Sequence, residues 1–292
     1  MHEPTPIALS VDIEDWYHSV LGLSEGDWER VPDRVVETTE TLLRVLADGQ
    51  ARGTFFVLGH VAARHPDLIR RIADAGHELA CHGYAHRLVH RQTPEQFRED
   101  LQRSLEALDR AGAGPVRGYR AAYWSITREA AWALDILAEA GIEYDSSIYP
   151  TRTPIYGIPD APHDPFRLHT PAGHSLIEYP PTVLRFPLRN LPIAGGIYLR
   201  LLPYPLVRAA LRHCQRRGRA AMVYIHPPEF DPAKPRIPMP FAERLLHYTR
   251  LDAMRVKVPQ LLRDFRFAPI GELLDKHIPR DTLPEWSLSS HP

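Results

Sequence analysis

Three short stretches of this sequence carry residue types that could do chemistry together. Ser10-Val11-Asp12-Ile13-Glu14-Asp15-Trp16 delivers three carboxylates to the end of an apolar run. Strand alternation puts Asp12 and Glu14 on one face, about 7 Å apart along the chain. On such a face one carboxylate can ligate a metal while the other takes a proton from water. His82-Gly83-Tyr84-Ala85-His86 places two imidazoles at i and i+4. On a helical turn these face the same way, which suits two histidines holding one metal. Zinc proteases with this spacing have a glutamate after the first histidine as general base. Gly83 holds that place here, so a base must come from elsewhere. Tyr224-Ile225-His226-Pro227-Pro228-Glu229 ends an apolar strand in a histidine able to protonate a leaving amine. Taken singly, each stretch has a blander reading: an acidic turn, two unrelated histidines, a core histidine.

The elements that must position these groups alternate along the chain. Ile7–Val11 reads as a buried strand, 35–46 as a helix and 53–58 as a second strand. Pro66 opens a helix that Gly76 stops, and 77–81 is a third strand. Thr93-Pro94-Glu95-Gln96 is a capping box opening a helix to about Ala111. A short strand follows at 117–120, then a helix that Thr127 caps and Gly141 ends. Strands are expected at 142–144, 175–179 and 220–225, a helix at 204–216, and two helical segments at 241–250 and 254–264. This alternation predicts an α/β fold with a parallel sheet or barrel, whose sites collect at the C-terminal ends of its strands.

Composition narrows the classes. The chain has 292 residues, with 35 Lys plus Arg against 36 Asp plus Glu, so no bulk field draws it to nucleic acid. Its 2 cysteines exclude a disulfide framework and a cysteine-based zinc site. No stretch approaches the roughly 18 apolar residues that span a bilayer. The N-terminus lacks a basic region followed by an apolar core, so the expected location is the cytoplasm. Arg208, Arg212, Arg216 and Arg217 form a basic stretch. It reads as a solvated helix face, with phosphate or membrane-surface contact as the alternative. Gly195-Gly196 allows either a tight turn or close approach of backbone to substrate.

Taken together and in this order, the motifs resemble the polysaccharide deacetylase superfamily of the carbohydrate esterase family 4 type. The resemblance spans roughly residues 5–230 and adds GTFFVLG, GYRAAYWSI and YDSSIYP to the stretches above. SVDIEDWYH, GGIYLRLLPY and YIHPPEFDP are similar to the subgroup near exosortase and exopolysaccharide loci. The resemblance implies a distorted (β/α) barrel with about seven parallel strands. It implies a catalytic domain at 1–235 and a helical C-terminal extension at 236–292 packed on it.

By position, the resemblance makes Asp12 the base, His82 and His86 metal ligands and His226 the acid. The family's second aspartate is Ile13 here, which leaves Glu14 or Asp15 as third ligand; Glu14 shares a face with Asp12. Arg120 resembles the arginine that holds a carboxylate beside the site, although the usual proline two residues on is Ala122. Asp145 matches the aspartate that orients the acid. Trp16, Tyr123 and Trp124 offer aromatic faces to a sugar ring. The implied reaction is metal-dependent hydrolysis of the N-acetyl group of an amino sugar in a poly- or oligosaccharide of exopolysaccharide biosynthesis. Zn²⁺ is the expected ion, with Co²⁺, Ni²⁺ or Fe²⁺ compatible. An O-acetyl esterase, a hydrolase of ureide-like amides and a carbohydrate-binding module are the rival readings. The last would require loss of the base or acid.

Overall fold

The computed structural model describes residues 5–20, 23–153, 156–185, 190–193 and 195–288. The first four residues, on which the reading of the N-terminus partly rests, and the last four of the 236–292 extension lie outside the described residues. All seven residues of β1 (Ile7–Ile13) are buried, as its apolar run predicts for a strand covered on both faces. The chain continues through α1 (Val35–Asp48), β2 (Thr54–Val57), α2 (Gly59–Arg64), α3 (Pro66–Asp74), β3 (Glu78–Cys81) and α4 (Pro94–Arg110). Then come β4 (Gly118–Tyr119), α5 (Trp132–Glu139), β5 (Tyr144–Asp145), β6 (Phe166–His169) and β7 (Ser175–Glu178). A separate hairpin of β8 (Val183–Arg185) and β9 (Asn190–Pro192) precedes α6 (Gly196–Leu201), α7 (Tyr204–Arg216) and β10 (Met222–Ile225). The remainder is α8 (Phe241–Tyr248), α9 (Asp252–Asp264), β11 (Phe267–Ala268), α10 (Ile270–Lys276) and β12 (Glu285–Ser287).

Seven strands run in the order β10-β1-β2-β3-β4-β5-β7, each parallel to its neighbours. This is the α/β architecture expected, with helices on the sheet's faces. Beyond β7, β6 is antiparallel and β12 parallel to β6. Among the described residues no strand pair joins β7 back to β10. The Thr182 hydroxyl spans that seam instead, donating to Met222 O at 2.9 Å and accepting from Met222 N at 2.6 Å. A side chain thereby satisfies edge groups that a further strand would otherwise pair.

Most boundaries follow local chemistry. The Thr93 side chain accepts from Gln96 N and Gln96 Oε1 accepts from Thr93 N, the reciprocal cap read in the sequence. Thr127 caps nothing with its side chain; a short 3₁₀ turn at Arg128–Ala130 precedes α5. Close approach at Gly195 is to protein rather than substrate, because a Cβ there would sit 2.2 Å from the Tyr224 ring. Arg208 and Arg212 of α7 face Asp264 at 3.0 and 4.0 Å, so part of the basic stretch holds α9.

The segment after 235 is helical only in part. Its β11 pairs with Ile7 and Ala8, and its β12 extends the main sheet through β6. Among the described residues no helix is long and apolar enough to cross a membrane.

Candidate active site

A cavity of about 260 Å³ opens at the C-terminal ends of β1, β3 and β10, where Asp12, Glu14, His82, His86 and His226 meet. Alternation along β1 sends Asp12 and Glu14 to this side. Asp15 turns away: its Oδ2 accepts from Arg34 N and Val35 N at 2.5 and 2.8 Å, and its Oδ1 accepts from Trp16 N at 2.7 Å. Asp15 therefore serves the first amides of α1, which lack partners within the helix. Burial raises its carboxyl to about 7 despite those amides.

The two histidines do not lie on a helical turn. Gly83 has φ 74° and His86 φ 51°, both left-handed. The cause lies on α4, where Asp100 accepts from Tyr84 N and Ala85 N at 2.7 and 3.3 Å. The Ser104 hydroxyl donates to Gly83 O at 2.9 Å. Groups a helix would pair internally are thus taken by a neighbour. A Cβ at Gly83 would meet Asp100 Oδ2 at 3.0 Å, so glycine is required there for space as well as φ.

This loop still brings the imidazoles together. His82 Nδ1 bonds Arg120 O at 2.7 Å and His86 Nδ1 bonds His18 O at 3.0 Å. Bonded to carbonyls, both Nδ1 atoms carry the proton, and both Nε2 lone pairs are left for the cavity. One ligand atom from each of Glu14, His82 and His86 lies within 4.8 Å of the others. Glu14 Oε2 sits 2.9 Å from His86 Nε2, yet this buried oxygen has no aligned donor. Two lone pairs facing each other at that distance call for a cation between them. Burial pushes His82 down to about 4, so it is neutral as a metal ligand must be. The donor set, two imidazoles and a carboxylate, fits a divalent ion with open positions.

Two further groups flank this trio. Asp12 Oδ1 accepts from Arg120 Nη1 at 2.6 Å, and its Oδ2 lies 3.6 Å from His226 Nε2. Arg120 is fully buried, and its fork is shared rather than bidentate. Nη1 also reaches Ser10 Oγ at 3.0 Å while Nη2 donates to Ser146 Oγ at 2.9 Å.

Residues 27–144 match the polysaccharide deacetylase family. The chain contains a polysaccharide deacetylase domain. Residues 146–275 match a family described as a domain of unknown function (DUF3473). A peptidoglycan deacetylase of Helicobacter pylori is 32% identical over 111 residues, 37% of this chain and 36% of that protein. A chitooligosaccharide deacetylase of Rhizobium leguminosarum bv. trifolii is 34% identical over 102 residues, 35% of this chain and 45% of that protein. The matches thus span less than half of either relative. The crystal structure of a Mycobacterium smegmatis protein assigned as a polysaccharide deacetylase superposes with a TM-score of 0.66. It covers 100% of this chain and 97% of its own, and at 23% identity it speaks to fold alone.

The site departs from two expectations. Asp145 does not touch His226. Its Oδ1 accepts from Ser147 Oγ at 2.5 Å, and burial raises it to about 6 in a shared acidic site with Glu178 of β7. The acid beside His226 Nδ1 is Glu229, 3.4 Å away and accepting the His226 backbone N–H at 3.1 Å. Glu229 is held in turn by Arg200, whose Nε lies 3.1 Å from Oε1. Trp16 is buried in the core with its indole donating to Pro32 O at 3.0 Å, so it offers no face to a ligand. Tyr123 and Trp124 do line the cavity, both at positive φ (54° and 49°), a strained pair of the kind that gathers at functional sites.

No motif marks the remaining walls, which come from α6, Lys234 and Glu243, Leu246 and His247 of α8. Burial pushes His226 down, but Glu229, then Glu14 and Asp12, more than offset it and lift the imidazole to about 9. His226 is accordingly protonated below that pH. Glu229→Gln removes the largest stabilising charge, so the alkaline limb of kcat/KM should move toward the ordinary histidine value by at least about one unit. A limb left in place would show that Glu229 does not tune His226.

Proposed function

We propose that this protein hydrolyses the N-acetyl group of an amino sugar in a poly- or oligosaccharide, in the service of exopolysaccharide biosynthesis. The observation that carries the reading is that Asp12 and His226, 3.6 Å apart, share one cavity with the Glu14, His82 and His86 trio. The curated relatives named for peptidoglycan and chitooligosaccharide deacetylation support the substrate class, and SVDIEDWYH and YIHPPEFDP support the biosynthetic setting.

Glu14, His82 and His86 would hold the ion, Zn²⁺ in the first instance. Bound there, it supplies Lewis acidity to the acetyl carbonyl and makes water more acidic. Arg120 fixes Asp12 Oδ1 at 2.6 Å and leaves Oδ2 facing the cavity as proton acceptor for the attacking water. His226, charged at neutral pH, donates to the departing sugar nitrogen. An amine leaves poorly without that proton, and this favours amide over ester as the bond cleaved. Tyr123 and Trp124 give the sugar ring an apolar wall. Acetate and a free amino sugar result.

Purified protein should release acetate from N-acetylglucosamine oligomers, lose that activity on chelation and regain it with Zn²⁺ or Co²⁺. Release that survives complete metal removal would discard the metal-dependent mechanism. A tightly bound ion without release would discard the substrate.

A further inference from the structure

Two of the carboxylates lining the cavity, Asp12 and Glu229, have cations of their own. Asp12 is paired with Arg120 and Glu229 with Arg200 and His226, Glu14 belongs to the trio with His82 and His86, and Glu243 of α8 lines the same cavity. Asp231, the nearby acid of the same loop, pairs with Arg34. Arg200 is spent, because besides Glu229 its Nη1 and Nη2 donate to Thr249 O and Leu246 O at 3.0 and 2.5 Å.

Lys234 is different. It is only 6% exposed and lines the cavity, yet no carboxylate lies within 4 Å of its ammonium among the described residues. Among the described residues its close partner is the face of Tyr248, 5.1 Å from Nζ to ring centroid, a contact worth less than an ion pair. Burial, and then Arg200, lower the ammonium to about 8, so it keeps its proton at neutral pH. Beside it His247 is pushed down to about 4 by burial and by Lys234, and stays neutral. Buried charges are normally paired, and an unpaired ammonium in a ligand cavity is a partner held for something that enters.

We propose that Lys234 forms an anion subsite within the catalytic cavity, and that the preferred N-acetylated sugar carries a carboxylate or a phosphate beside the acetamido-bearing ring. The inference takes its reaction from the deacetylase reading, but its binding claim stands apart from turnover. Lys234 is itself buried, and away from bulk water an ammonium–anion hydrogen bond gains most.

Calorimetric titration of the Zn²⁺-loaded full chain with three probes tests this: N-acetylmuramic acid, N-acetylglucosamine 1-phosphate and neutral N-acetylglucosamine. At least one anionic probe should bind about 10- to 100-fold more tightly than the neutral sugar. Whichever anion gains more identifies the source as carboxylate or phosphate. Lys234→Met should erase the gap and Lys234→Arg should keep most of it. An anion held by the metal alone would keep its advantage in Lys234→Met, and that result overturns the subsite. Equal affinity of the parent protein for all three probes also overturns it, whatever the variants do. Anion preference without acetate release from any probe would uphold the subsite while removing the deacetylase reading.

Discussion

Asp12→Asn should lower kcat by about a hundredfold to ten-thousandfold and leave metal content at the parent level. The two outcomes separate because Asp12 stands outside the Glu14, His82 and His86 trio. An amide can still accept from Arg120 Nη1 through its carbonyl oxygen, but it cannot take a proton from water. Arg120 would lose its charged partner and keep Ser10, Ser146 and the face of Phe56, 4.1 Å from its guanidinium carbon. Some stability should go with the charge, since an arginine buried without a carboxylate is costly. Rate and metal stoichiometry, measured on protein shown to be folded, decide the matter. Turnover close to the parent rate would take Asp12 out of the mechanism, and loss of the ion would make it a ligand.

The sequence was most legible where one element decides the outcome alone. The short apolar run Ile7–Val11, ending in acids, marked β1, and period-two alternation was enough to send Asp12 and Glu14 to one face. Asp15 was ambiguous because its role is set by the amides of Arg34 and Val35, on a helix that sequence distance does not reveal. The His82–His86 loop failed as a helix for a similar reason. Asp100 and Ser104 of α4 compete for its backbone groups, and no periodicity within five residues reports that.

Asp145 and Glu229 exchange the role expected of the first. Family position pointed to Asp145, but β5 turns it toward Glu178, where burial keeps the two acids sharing a site. The signal for Glu229 was present: it stands three residues after His226, the spacing at which a side chain reaches back to a backbone amide at a helix start. The tail was the least legible part. Two-residue strands such as Phe267–Ala268 are too short to show alternation, and α8 carries no motif that would mark it as a wall of the cavity. Lys234 looked like any charged loop residue; only its burial beside an already committed Arg200 sets it apart.

Glu14→Gln should weaken metal binding by at least about a hundredfold, while Asp15→Asn should leave it unchanged. Loss of a hydrogen-bond partner behind a ligand already costs about 10- to 100-fold, so loss of a direct ligand costs no less. Glutamine keeps the shape of Glu14 but presents a neutral, weaker donor to the ion. Glu14 is the carboxylate that shares the site with His82 and His86; Asp15 gives its oxygens to three backbone amides. Asparagine at 15 would turn an amide donor, or a weaker acceptor, toward those N–H groups. Its cost should therefore appear in unfolding, at about 1–3 kcal/mol, the range for losing a helix cap or leaving buried amides poorly paired. Metal titration and denaturant unfolding of both variants give a crossed pattern: Glu14→Gln fails the first and passes the second when metal-free, and Asp15→Asn does the reverse. The opposite crossing would move the ligand to Asp15 and require the loop after β1 to rearrange when the ion binds.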